Sequence, residues 1–257
     1  MTHMRQRFGA VFFAAGLAAG ILPLAPTLEA QQAAAPAQAA SWHFVQTDKI
    51  DYARILPPPP APGSLAAEAD MMAVLQAQAL RTYADESWAR RVAIGDLFDY
   101  ADVLGPWFSR ANLPVTAALL ENVDDDLGPG VDVSKATFAR PRPFVVDARV
   151  HPCVGRPKAG GRFQGSYPSG HTMQFFVEAA VLARIFPDKR EALFDLAGRM
   201  AWGRVIGGVH FPTDLVAGKL AAAAIVAELD KSPAYQADLA QAQAEAGKFL
   251  AKRQAGP

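Results

Sequence analysis

The chain has 257 residues, 51% of them apolar and 19% charged, and its basic and acidic side chains balance to zero net charge. That length and apolar fraction suit one globular domain with a substantial core. Charge balance removes the field that would recruit nucleic acid or an anionic membrane surface, and a single cysteine, Cys153, excludes an intramolecular disulfide and a thiolate zinc site.

The N-terminus has the layout of a secretory signal peptide: Arg5 and Arg7 precede a charge-free apolar run from Phe8 to Leu24, and Pro26 and small residues come after it. Cleavage is expected near residue 30 or residue 39. Residues 1–39 are therefore read as signal peptide and leader and residues 40–257 as the folded domain, periplasmic or secreted. An uncleaved membrane anchor is the alternative. The Ala-, Gln- and Pro-rich segment 27–42 has little to bury, so folding is expected to start near Phe44.

Residues 52–64, YARILPPPPAPGS, form a stiff extended stretch, and from Ser64 the apolar spacing becomes helical, with Ser64 as N-cap. Gly95, Gly105, Pro106 and Pro114 punctuate the helical segments beyond it. Further helices are predicted over 115–126, 132–139, 170–186, 189–206, 212–229 and 232–252. No alternating strand pattern and no fixed-period repeat occurs, so the expected fold is all-α, a compact bundle of about seven to nine helices. Asp124, Asp125 and Asp126, with Gly128, Pro129 and Gly130 after them, read as a solvated turn rather than a metal site.

Three segments carry chemistry. In KATFARPRPF, residues 135–144, Pro141 and Pro143 stop a helix, placing Lys135 on its last turn and Arg142 on an extended segment. Lys offers a point charge and Arg a planar fork, a pair suited to phosphate oxygens, although solvated basic residues beyond a helix end would look the same. In GSYPSGHT, residues 165–172, a loop feeds a helix N-terminus, where free N–H groups and the dipole favour an anion. Ser169 then either adds its hydroxyl or only caps the helix. Gly170 permits close backbone approach, and His171 brings an imidazole.

In GRVIGGVHFPTD, residues 203–214, Gly207 and Gly208 break a helix and Pro212 starts the next. His210 then lies just outside a helix start, with Asp214 in the first turn able to hold one ring nitrogen and leave the other as a nucleophile. Asp214 would equally serve as a capping residue alone. Together the segments assemble three cations, two of the five histidines and a carboxylate, the parts of metal-free phosphoryl transfer.

In order and spacing these segments resemble the three-part signature of the type 2 phosphatidic acid phosphatase (PAP2) superfamily, shared with vanadium-dependent haloperoxidases. Residues 52–64 resemble the proline-rich stretch of bacterial class A nonspecific acid phosphatases. The resemblance implies the PAP2/haloperoxidase type of helical bundle and a nonspecific acid phosphatase. His210 would form a phosphohistidine, Asp214 would orient it, and His171 would serve as general acid and base. Lys135, Arg142, Ser169, Gly170 and Arg204 would hold the phosphoryl oxygens. It implies small phosphomonoesters as partners and no metal or cofactor, with phosphate or vanadate able to occupy the site. After the leader no apolar stretch is long enough to span a bilayer, so no stable membrane association is expected once the signal is removed. A homo-oligomer is left open. The alternatives are a vanadium haloperoxidase and, in a different class, a non-catalytic phosphate-binding protein. One departure stands out: Gly203 occupies the position where the signature usually has Ser, which puts a supporting hydrogen bond in doubt.

Overall fold

The computed structural model describes residues 42–156 and 164–255, and the expected signal peptide lies outside the described residues. Among these residues there is no strand. The chain forms α1 (Tyr52–Ile55), α2 (Leu65–Leu80), α3 (Tyr83–Val92), α4 (Ala101–Leu104), α5 (Pro114–Phe138), α6 (Pro143–Val146), α7 (Gly170–Ile185), α8 (Arg190–Ile206), α9 (Pro212–Leu229) and α10 (Pro233–Gln254). Seven of these exceed two turns, as the expected bundle requires; α1, α4 and α6 are single turns. No helix is long and apolar enough to cross a membrane among the described residues.

Local signals set the boundaries. Ser64 accepts from Ala67 N and starts α2, and Thr82 and Asp85 form a capping box at α3. Helix α7 is apolar on nearly every side, from Met173 and Phe175 through Val181 and Leu182, and is correspondingly buried, with α8, α9, α5 and α10 packed around it.

The two helices predicted over 115–126 and 132–139 are one helix, α5, which continues through Pro129. Proline lacks the N–H that would continue the ladder, and its ring crowds the preceding turn. The break is repaired from outside the helix. The buried Thr47 hydroxyl donates to the Asp126 carbonyl and accepts from Gly130 N at 3.0 Å, standing in for the bond that would join those two groups directly. A Cβ at Gly130 would sit 2.5 Å from the Tyr52 hydroxyl and 2.7 Å from Thr47 Cβ, so glycine is what lets the segment dock.

The aspartate run is likewise not a solvated turn. It lies inside α5, where Asp126 is buried and accepts from the backbone N–H groups of His43, Phe44 and Val45 at 2.7–2.9 Å. Asp124 faces the interior, and only Asp125 is exposed. Asp126 thereby fastens residues 43–45 to α5.

Thr47→Val keeps the side-chain shape but leaves a buried N–H and C=O unpaired, so urea unfolding should show a loss of about 1–3 kcal/mol with an unchanged denaturant slope. An unaltered midpoint would mean that α5 tolerates Pro129 without this hydroxyl.

Candidate active site

Each of the three segments adopts the local geometry its prolines and glycines dictate. Lys135 sits on the last turn of α5, which ends at the left-handed Ala139 (φ 47°), and Arg142 is extended (φ −77°, ψ 157°) before Pro143. Lys135 Nζ donates to the carbonyls of Gly165 and Pro168, both at 2.8 Å, which ties α5 to the loop before α7. Gly208 takes a positive φ of 73° after α8, and Pro212 opens α9. His210 therefore lies between α8 and α9, with Asp214 in the first turn of α9.

These elements converge on a cavity of about 500 Å³ that Lys135, Arg142, Gly170, His171, Arg204 and His210 all line. A wider groove of about 650 Å³, beside Trp88, Phe194 and Trp202, has no histidine in its wall and gathers no comparable set of cations. Glycine at 170 is required by close approach, since a Cβ there would stand 2.8 Å from Val131 Cγ1 on α5. Ser169 does not line the cavity. Its buried hydroxyl caps α7, accepting from Thr172 N at 3.3 Å and meeting the Thr172 hydroxyl at 3.0 Å.

The histidines are held in defined tautomers. His210 Nδ1 lies 3.2 Å from Asp214 Oδ2, and its Nε2 lies 3.3 Å from Arg142 Nη1. A guanidinium only donates, so Nε2 is the lone-pair nitrogen and the ring proton is on Nδ1. Asp214 has no exposed surface; its Oδ2 also accepts from Phe211 N at 2.8 Å and from the Ser166 hydroxyl. His171 Nε2 is 3.2 Å from the Ala93 carbonyl, which can only accept, so Nδ1 is left to exchange a proton.

Positive charge is concentrated here against the cost of burial. Burial and then Arg142 push Lys135 down to about 7, and burial and then Arg204 push His171 down to about 3. Burial, with Arg142 and Lys135 next in weight, holds His210 well below its ordinary value. Arg204 is 5% exposed, and its Nε and Nη1 are buried without a protein hydrogen-bond partner. Donors so placed in a cationic cavity suit an anion with several oxygens.

The sequence did not single out the groups behind and beside these residues. Arg140, two positions before Arg142, turns to Asp214 rather than to the cavity, and Asp70 on α2 supports it from behind. Gln174, one turn beyond His171, bonds Asp124 and Glu178 at 3.1 and 3.0 Å on the cavity wall. Asp124 Oδ1 and Glu178 Oε2 are buried with no N–H or O–H partner, and burial raises both carboxyls, Asp124 to about 6. Helical spacing from His171 could have flagged Gln174 and Glu178; nothing local marks Asp70.

The family model described as "PAP2 superfamily" matches residues 116–235. The chain is 29% identical over 213 residues to a non-specific acid phosphatase of Providencia stuartii, covering 81% of this chain and 86% of that protein. It is 29% identical over 219 residues to an acid phosphatase of Zymomonas mobilis, covering 81% and 79%, and 29% over 197 residues to a non-specific acid phosphatase of Salmonella typhi, covering 74% and 78%. Among solved structures, a transmembrane PAP2 type phosphatidylglycerolphosphate phosphatase from Bacillus subtilis is 22% identical with a TM-score of 0.43, covering 66% of this chain and 87% of that one.

Gly203 now has a physical reason. A Cβ there would lie 2.7 Å from Val92 Cγ2 and 3.4 Å from Trp88 Nε1, so α3 occupies the room a serine would need. Gly203→Ser should lower stability by about 1–3 kcal/mol in thermal or urea unfolding, and adding Val92→Ala should recover part of the loss. A Gly203→Ser variant as stable as the parent would show that α3 yields freely.

Proposed function

Because the chain belongs to the PAP2 superfamily, we propose that it is a nonspecific acid phosphatase that hydrolyses phosphate monoesters through a phosphohistidine on His210. The observation that carries this reading is the orientation of His210: Nδ1 on buried Asp214, Nε2 facing Arg142 and the cavity. A binding site alone needs no oriented nucleophile. Lys135, Arg142, Arg204 and the α7 start at Gly170 take the phosphoryl oxygens, while Ser169, expected among them, only caps the helix. Their positive charge and donors stabilise the transferring group, so the reading requires no metal ion. The apolar leader behind Arg5 and Arg7 supports export to the periplasm or medium.

In the first step the Nε2 lone pair of His210 attacks phosphorus, the bond to the ester oxygen breaks, and Nδ1 of His171 gives its proton to the leaving alcohol. In the second, His171 takes a proton from water as that water attacks phosphorus, the P–N bond breaks, and inorganic phosphate leaves. His171 is neutral in the unliganded cavity. A monoester with a second pKa of about 6 enters partly as its monoanion and brings the proton that His171 then holds beside the dianion. Acid conditions thus favour the productive proton count.

His210→Ala should lower kcat by at least about a thousandfold, whereas His171→Ala should lose about 10²–10⁴-fold and accumulate phosphoenzyme from an aryl phosphate. Brisk turnover by the first variant would refute the nucleophile. Lys135 is protonated below about 7 and loses its charge above it, so kcat/KM should fall as pH rises through that value; a rate still climbing there would contradict the assignment. Wild-type turnover should survive a chelator and be blocked by vanadate. Halide oxidation with vanadate and peroxide, in place of phosphate release, would overturn the phosphatase reading.

A further inference from the structure

Arg140 is 8% exposed and clamps two carboxylates at once. Its Nη1 donates to Asp214 Oδ1 at 2.7 Å and to the Thr213 hydroxyl at 2.8 Å, and its Nη2 donates to Asp70 Oδ2 at 2.7 Å. The guanidinium stacks over Phe211 with its carbon 4.0 Å from the ring centre. Asp70 is 4% exposed; its Oδ1 accepts from Thr213 N at 3.2 Å, and its Oδ2 also accepts from the Thr213 hydroxyl. Segment 139–142, α2 and the start of α9 therefore meet at one ion-paired node directly behind the nucleophile.

We propose that Arg140 and Asp70 are positioning residues of the phosphatase, acting through Asp214 to keep it an oriented counter-ion of His210. The inference rests on the phosphatase reading above. When Nε2 bonds to phosphorus while Nδ1 keeps its hydrogen, the ring gains positive charge, and Asp214 is the carboxylate in contact with it. A carboxylate with no exposed surface stays ionised only if buried donors hold it. Burial raises Asp214, and Arg140 is the foremost group opposing that rise.

The other charged or titratable groups around Asp214 are Lys135 on α5, Arg142, His210 and Tyr167, with Asp70 behind Arg140. Lys135, Arg142 and His210 face the cavity, whereas Arg140 does not. Arg140 can therefore hold Asp214 without competing for the phosphoryl group. Asp70 divides the Arg140 charge between two carboxylates, so the triplet carries one net negative charge to set against one imidazolium ring.

The test is kinetics of the full chain on p-nitrophenyl phosphate, with Arg140→Gln and Asp70→Asn read for kcat, KM and the pH profile. Arg140→Gln should lower kcat by about tenfold or more, as the loss of an outer partner of an active-site ligand does, with KM within about threefold because the phosphate clamp is intact. Its acid limb, where the Asp214–His210 pair takes up a proton, should move up by about one pH unit or more. Asp70→Asn, which leaves Asp214 as the one carboxylate on Arg140, should move that limb the other way. Limbs that stay put or move together overturn the proposal, as does a loss confined to KM. Should Arg140→Gln fail to fold, the direction of the Asp70→Asn limb decides alone. Absence of phosphate release by the wild-type chain would instead defeat the phosphatase reading itself.

Discussion

A carboxylate that solvent does not reach, Asp214, has to be satisfied entirely by the protein, and meeting that requirement organises the site. Leaving such a charge unpaired costs several kcal/mol, so its oxygens collect Arg140, Ser166, the Phe211 N–H and His210. Its backbone carbonyl accepts from Ser169 N at 3.0 Å, which fixes the start of α7 against the start of α9. The segments that carry Gly170, His171 and His210 are thereby registered to one another through the carboxylate residue that holds His210 Nδ1. Lys135 completes the arrangement by anchoring α5 to the same loop through two carbonyls.

Around this node the protein holds like charges together against their repulsion. Lys135, Arg142 and Arg204 are each pushed below their ordinary values, with burial the largest cause. Folding supplies the energy, and under the proposed function a bound dianion would relieve the repulsion and so couple ligand binding to stability. The protonation equilibria of the site and its wall have opposite signs. His171, lowered to about 3, makes the fold less stable as pH falls from its ordinary value of 6.5, because the unfolded chain takes the proton first. Asp124, raised to about 6, makes the fold more stable as pH falls from there toward its ordinary 3.8, because the folded chain takes it first. The windows overlap in the acid range, so a wall of buried acids offsets part of what a buried base costs there.

The parts of this arrangement that were legible in the sequence are those governed by local covalent geometry. Pro141 and Pro143 end α5 and extend Arg142; Gly207, Gly208 and Pro212 separate His210 from both neighbouring helices. What was not legible depends on groups distant in the chain. Pro129 is a correct sign of a broken ladder, and only the hydroxyl of Thr47, brought back by Asp126, makes the helix continuous. Arg140 and Arg142 have the same local chemistry two residues apart, and it is Asp70, on another helix, that turns one of them away from the cavity. The aspartate run looked solvated because charge in a row usually is, but here two of its three members are hydrogen-bonded to groups distant in the chain.

The wall of the cavity bears on how the enzyme treats its substrates. The cavity is lined by Lys135, Arg142 and Arg204 and also by the apolar side chains of Ala93, Leu127 and Val131. Under the proposed function, binding energy that the cations place on the group common to all monoesters is the same whichever alcohol departs, which favours breadth over selectivity. Leu127, Val131 and Lys135 occupy successive turns of α5 and share one face. Part of the apolar wall and the buried lysine are thus set by one helix, and that helix is continuous because Thr47 bridges the break at its proline.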